Sequence, residues 1–186
     1  MQMLMLLKQG STPLHWACQK GNVEMIEYLI KHKAKVNTVD FDGWNALHYC
    51  VQGGHLKALK VLVEKYKMNI ETLTRKGESV LSIACDEEEV KIIKYLCKKG
   101  ANVKNMLNEK VECNQPKIVY YLAKYGQLSK NQYTNSNNPL HVSVMFNYTK
   151  NMRILKKYLP WMVDCKNQAG KKPNDYSQLN LVFGAF

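Results

Sequence analysis

The sequence predicts an all-α protein built as a stack of short helix pairs, and three observations carry that prediction. First, a block recurs at a nearly constant period. Gly10-Ser11-Thr12-Pro13-Leu14-His15-Trp16-Ala17 returns 33 residues later as Gly43-Trp44-Asn45-Ala46-Leu47-His48-Tyr49-Cys50, and 34 residues after that as Gly77-Glu78-Ser79-Val80-Leu81-Ser82-Ile83-Ala84. Second, each block carries a helix-start signal, Thr12, Asn45 or Ser79, just ahead of an apolar run. Third, the apolar residues inside each block recur at helical spacing. Units of this length hold a helix, a turn and a second helix, and only stacked neighbours can bury their apolar faces.

In the first unit, residues 10–42, the Thr12 hydroxyl suits an N-cap and Pro13 suits the first helical position, where the missing N–H costs nothing. Leu14, Ala17 and Cys18 form one apolar stripe, Gly21 ends the helix, and Val23, Ile26, Leu29 and Ile30 mark a second helix. The second unit, 43–76, repeats this plan with one residue inserted near Met68-Asn69-Ile70. The third, 77–108, keeps Val90, Ile92, Ile93, Leu96 and Gly100 but has Glu88 where glycine belongs. In the fourth, 109–135, the helix Lys117–Gly126 follows its counterpart by 26 residues rather than 33, so a shortened first helix is expected, with Pro116 opening the second. Ser129–Asn138 reads as a long polar turn. The fifth unit, 136–169, restores Asn138-Pro139-Leu140-His141, and its second helix, Asn151–Leu159, stops before Pro160. Residues 170–178 read as a partial cap in which Asn174 takes the place of the core leucine.

Thr12-Pro13-Leu14-His15-Trp16-Ala17, Gly21-Asn22, Gly54-His55 and Gly100-Ala101-Asn102-Val103 resemble the ankyrin-repeat family. The resemblance covers residues 10–177, closely in 10–104 and 138–176 and loosely between them. It implies an ankyrin-repeat solenoid of about five helix-turn-helix repeats plus a partial C-terminal cap, with short β-turn or hairpin loops, and residues 1–186 as one domain. Members of the family usually bind other proteins through their loop tips and inner helices. By position, the resemblance places such contacts at Val39, Phe41, Asp42 and Trp44 on the first loop. On the second it places them at Leu73, Arg75, Lys76 and Glu78. On the inner helices it places them at Gln19 and Lys20, Gln52 and Gly53, and Asp86 and Glu87. Phe41 and Trp44, with Arg75 nearby, have the composition of an interface hot spot; the alternative is that Trp44 folds back onto the adjacent repeat.

The predicted function is a protein-interaction module, a scaffold or adaptor, acting as a monomer with no small-molecule substrate. His15, His48 and His141 share one column of the repeat and read as ties to the turns rather than as catalytic or metal residues. No Cys-x-x-Cys pair and no glycine-rich phosphate loop occurs, and no catalytic, cofactor or metal site is expected. Asp86-Glu87-Glu88-Glu89 reads as a solvated helix start. Six dispersed cysteines suit a reducing, intracellular, cytoplasmic setting. One alternative is the ankyrin recognition region of a larger multi-domain enzyme or membrane protein. Another is a basic module for an anionic surface, nucleic acid or membrane. The net charge of +12 is uneven, with +4 in residues 1–112 and +8 in 113–186. Met1–Leu7 makes a poor signal peptide and reads as the remnant of a preceding turn or helix, or as an artefact of where the chain was started. The apolar tail from Leu179 reads as packing on the last helix or as a lead into a further domain.

Overall fold

A computed structural model describes residues 10–133 and 136–177, and the expectations for Met1–Leu7 and for the tail from Leu179 lie outside them. Ten α-helices form five consecutive pairs in the described residues: α1 (Pro13–Gln19) with α2 (Val23–Lys31), α3 (Ala46–Gln52) with α4 (Leu56–Glu64), α5 (Val80–Asp86) with α6 (Val90–Lys98), α7 (Lys104–Glu112) with α8 (Pro116–Tyr125), and α9 (Pro139–Met145) with α10 (Thr149–Tyr158). Short 3₁₀ turns occupy Lys130–Tyr133, Pro160–Asp164 and Pro173–Tyr176. The contacts divide into two compact units between Leu96 and Cys97.

In the first unit α1, α3 and α5 pack side by side, and α2 packs on α4. The caps are those the sequence implies. Thr12 accepts from the His15 amide, Asn45 from the Leu47 and His48 amides, and Ser79 from the Ser82 amide. The residue three further on closes each box by accepting from the cap's own N–H. Leu14, Cys18, Ile26, Leu47, Cys50, Leu59, Leu62, Val80, Ile92 and Ile93 are buried, whereas Val23, Leu29, Ile30 and Val90, also expected on the apolar stripes, are half-buried.

The repeating histidines serve the turns. His15 Nδ1 accepts from Thr12 N at 3.2 Å while Nε2 lies 3.0 Å from the Thr38 carbonyl, which can only accept. The ring is therefore a neutral imidazole with its proton on Nε2. His141 repeats the pattern with Asn138 N and the Lys171 carbonyl. His48 Nδ1 accepts from Asn45 N, and its Nε2 faces the Thr72 carbonyl without reaching hydrogen-bond geometry. Burial holds all three rings below the usual histidine range, His48 at about 4.

In the second unit α7 packs on α8 and α9, α8 packs on α10, and α9 packs on the final 3₁₀ turn. One sequence expectation is corrected here. The fourth first-helix, α7, is not shortened: it has nine residues, against seven in α1, α3 and α5. The missing length comes out of the connection before it. Only residues 99–103 join α6 to α7, whereas 32–45 join α2 to α3 and 65–79 join α4 to α5. The helix therefore begins before the expected junction at 108. Its buried stripe is Met106, Leu107, Lys110 and Val111, and the lysine hides the apolar period from the sequence. Lys110 is only 3% exposed and pairs with Glu109 at 2.9 Å. The polar stretch after α8 also holds a buried anchor, Tyr133, whose ring lies 5.9 Å from that of Trp161.

Candidate functional site

The first long connection ends in a tip built around Asp40. This carboxylate is 5% exposed and does three things at once. Its Oδ1 accepts from the Asp42 amide at 2.9 Å and the Trp44 amide at 2.8 Å, and its Oδ2 accepts from the Tyr49 hydroxyl at 2.6 Å. Tyr49 lies on α3 and stacks on the His15 ring at 4.9 Å. Burial and the neighbouring carboxylate push the Tyr49 phenol far up, so it remains a donor. Asp40 thus ties the tip to α3, and Tyr49 extends the tie to α1 by its stack on His15.

It displays Val39, 52% exposed, and Phe41, 60% exposed. The Phe41 ring lies against Gly10, so close that a Cβ there would sit 2.9 Å from a ring carbon. Asp42 is exposed. Trp44 is half-buried, with its ring 5.7 Å from Tyr49 and 5.9 Å from His48. Of the two readings open for Trp44, the packing one has clear contacts, and part of the indole still faces outward.

The second tip is closed by Thr74, which is buried and plays the part of Asp40. Its hydroxyl accepts from the Lys76 and Glu78 amides and donates to the Glu78 carboxylate at 3.0 Å. A bridge between Leu73 and Ser79 sets the hairpin register. Leu73 is 59% exposed, Arg75 and Lys76 are exposed, and Glu78 is half-buried. The two tips are joined directly, since Arg75 N donates to the Asp42 carbonyl at 2.9 Å. Beside them runs a groove of about 430 Å³, lined by Val39, Asn45, Tyr66, Met68 and Leu73 among others.

The structure therefore brings together Val39, Phe41, Asp42, Trp44, Leu73, Arg75, Lys76 and Glu78. Gln52 lies elsewhere, at the far end of α3, roughly 10 Å along the helix from the tips. There Gln19 donates to the Gln52 carboxamide at 3.2 Å, and His55 ties to the Gln19 carbonyl at 3.0 Å. Lys20, Asp86 and Glu87 are exposed at the ends of their helices. The equivalent end of α9 went unremarked in the sequence, yet it shows Met145 at 38% and Phe146 at 61% exposure. Counting forward from Asn138-Pro139-Leu140-His141 would have found both. Tyr148 fills the place of His55 and reaches the Glu112 carbonyl at 3.4 Å.

This arrangement presents apolar and charged side chains on braced loops. The family model for ankyrin repeats, in three copies, matches residues 2–73 and 39–106. The chain is 33% identical over 92 residues to the human transient receptor potential cation channel subfamily A member 1, a match covering 50% of this chain and 8% of the channel. It is 35% identical over 92 residues to mouse protein phosphatase 1 regulatory subunit 12A, covering 50% of this chain and 9% of the subunit. The chain thus spans less than a tenth of the length of either relative. Among solved structures, the ankyrin repeat domain of Bcl-3, of the IkappaB protein family, superposes with a TM-score of 0.74 at 20% identity, over 89% of this chain and 77% of that one. Such repeats are a generic protein-interaction fold and typically non-catalytic. The matched repeats and the paired helices make this chain a member of the ankyrin-repeat family.

Proposed function

We propose that the chain is a scaffold or adaptor module that binds a protein partner, with no chemistry of its own. The contact surface is Val39, Phe41, Asp42, Trp44, Leu73, Arg75, Lys76 and Glu78 on the joined tips, extended by Gln52 at the end of α3. One observation supports this most: Val39, Phe41 and Leu73 are three of the large apolar side chains that are more than half exposed among the described residues, and all three lie on these two tips. Apolar anchors on a rigid frame, ringed by charge, are what a protein interface uses. The module works as a monomer in a reducing, cytoplasmic compartment, where its six thiols stay free. The small share of each relative that the chain covers favours a second reading, in which these repeats are the recognition region of a larger protein.

The test compares proteins captured from a cell extract by the wild-type chain and by Phe41→Ala/Leu73→Ala, read by mass spectrometry. A partner lost with the double variant is then titrated directly, and a deficit above about 2 kcal/mol is expected, as for hot-spot residues. Trp44→Ala is the poorer probe, because it also removes packing on Tyr49. An unchanged set of captured proteins would sink the finger-tip surface.

A further inference from the structure

The second helices of the two units differ in charge. In the first unit α2 and α4 carry their own carboxylates, Glu24 and Glu27 on α2 and Glu64 on α4, while α6 carries Lys91, Lys94 and Lys98 and no carboxylate. Lys65 pairs with Glu27 at 2.7 Å, and Tyr95, with Lys60 over its ring, donates to Glu64 at 3.1 Å. In the second unit the carboxylates are gone. Residues 113–163 contain seven Lys or Arg and no Asp or Glu. Six of the seven lie on α8 and α10: Lys117, Lys124, Lys150, Arg153, Lys156 and Lys157.

These two helices pack against each other, and tyrosines stand among the cations. Tyr120 meets Tyr158 across the helix pair at 5.4 Å and Tyr121 along its own helix at 5.0 Å, both edge to face, while Tyr121 and Tyr125 lie nearly parallel at 6.5 Å. All four tyrosines are half-buried, so part of each ring faces solvent. Lys124 Nζ lies 5.1, 5.4 and 5.9 Å from the Tyr120, Tyr125 and Tyr158 rings and donates to the Tyr120 hydroxyl at 2.8 Å. Lys157 Nζ lies 5.4 Å from the Tyr158 ring. Tyrosine rings and the Tyr120 hydroxyl surround these ammonium groups, and unlike a carboxylate they leave the positive charge in place.

We propose that the α8–α10 face binds single-stranded nucleic acid, with Lys124, Arg153, Lys156 and Lys157 taking phosphates and the exposed ring surfaces of Tyr120, Tyr121, Tyr125 and Tyr158 stacking on unpaired bases. Interleaved cations and aromatic rings are what recognition of an unpaired strand requires. A lipid surface would call for an apolar face sunk among headgroups. The exposed large apolar side chains described in this unit, Met145 and Phe146, lie instead at the end of α9. An acidic polypeptide would use the cations and leave the rings idle. A duplex keeps its bases stacked on one another. This surface shares no residue with the finger tips, so it stands or falls independently of them.

The experiment uses the full chain with fluorescein-labelled oligouridine and oligothymidine of about 20 nucleotides, followed by anisotropy from about 50 to about 200 mM salt. Polyglutamate, a duplex of equal length and phosphatidylserine vesicles serve as competitors. Tighter binding of the single strands than of all three competitors is expected, with affinity falling linearly in the logarithm of salt. Lys124→Gln/Lys156→Gln/Lys157→Gln should weaken binding by about tenfold or more and flatten the salt slope, because fewer counterions are released. Tyr120→Leu/Tyr158→Leu should weaken it by roughly fivefold or more with the slope unchanged, and Tyr120→Phe/Tyr158→Phe should bind like wild type, since stacking needs the ring and not the hydroxyl. Circular dichroism checks that each variant folds. Photo-crosslinking of a 4-thiouridine probe to the wild-type chain needs no variant and should map to residues 116–125 and 149–158. The proposal is overturned if any competitor binds as tightly as the single strands, if the leucine pair, properly folded, binds like wild type, or if the crosslinks map elsewhere.

Discussion

Asp40 illustrates how much of the candidate site rests on one side chain. It touches no partner in the proposed reading, yet two tip amides and the Tyr49 hydroxyl end on it. Asp40→Asn keeps an oxygen for the two amides and can turn its amide group to the Tyr49 oxygen, so a cost below about 1 kcal/mol is expected. Asp40→Ala strands three donors, two of them on the tip, and should cost about 2–4 kcal/mol while weakening partner binding through loss of order. Chemical denaturation of both variants distinguishes these outcomes, and equal midpoints would show that the clamp is unimportant. The His48 ring makes a pH prediction. Its folded value of about 4 lies below the unfolded value of about 6.5, so the unfolded chain takes up the proton first. Its contribution to stability is complete above about pH 6.5 and is lost as pH falls towards 4, by about 1.4 kcal/mol per pH unit and about 3 kcal/mol in all. The midpoint should therefore drop more steeply on acidification in wild type than in His48→Gln. Parallel profiles would refute the neutral buried ring. The histidine ties were legible in the sequence, because cap and histidine stand three residues apart in a repeating block. The Asp40–Tyr49 clamp was not, because the two are nine residues apart and belong to no local pattern.

At the scale of elements, the finger connections depend on two glycines in the left-handed region with different surroundings. Gly43 has φ +81°, and an added Cβ would lie 2.7 Å from the Arg75 backbone nitrogen, which itself bonds to Asp42. Gly77 has φ +78° with nothing within 4 Å. Gly77→Ala should cost only the left-handed penalty of about 1–2 kcal/mol. Gly43→Ala carries that penalty and also pushes the two tips apart, so it should cost at least about 1 kcal/mol more and weaken partner binding, whereas Gly77→Ala should leave binding nearly intact. Thermal unfolding of the two variants with a binding titration checks the ordering. Equal losses would mean that the contact between the tips is not structural. Helix starts were legible wherever Thr, Ser or Asn opened a block, and stops wherever Gly closed one. The first helix of the fourth pair escaped because its opening signal is absent, whereas Pro116 marked the second. α7 is preceded by Val103, which offers no side-chain oxygen, and its buried stripe includes Lys110. Missing length carries no motif of its own, and the chain removes it from the loop, where no core is lost.

At the scale of the whole chain, the uneven charge could be read from the sequence, but its gathering with four tyrosines on one helix pair could not. That grouping depends on which residues of α8 and α10 meet across the pair. The chain should also be uneven in stability, for reasons now visible in its helix starts. Repeat stacks behave as arrays of near-neighbour couplings, so a weak unit opens more often than its neighbours. Of the first helices of the five pairs, α1, α3, α5 and α9 begin with a side-chain cap closed into a box, whereas α7 has no box and only its first amide, Lys104 N, is met, by Asn102 Oδ1 at 3.2 Å. Its partner α8 lacks a side-chain cap as α4 and α10 do, so the difference between the pairs lies in the first helix. A capping box left open costs up to about 1 kcal/mol. Amides in residues 105–125 should therefore exchange roughly tenfold faster, or more, than those in residues 46–64 and 80–97, a factor that corresponds to about 1.4 kcal/mol of opening free energy. Hydrogen–deuterium exchange followed by mass spectrometry resolves these segments. Uniform protection along the chain would show that the open box at α7 does not set the stability of the fourth pair.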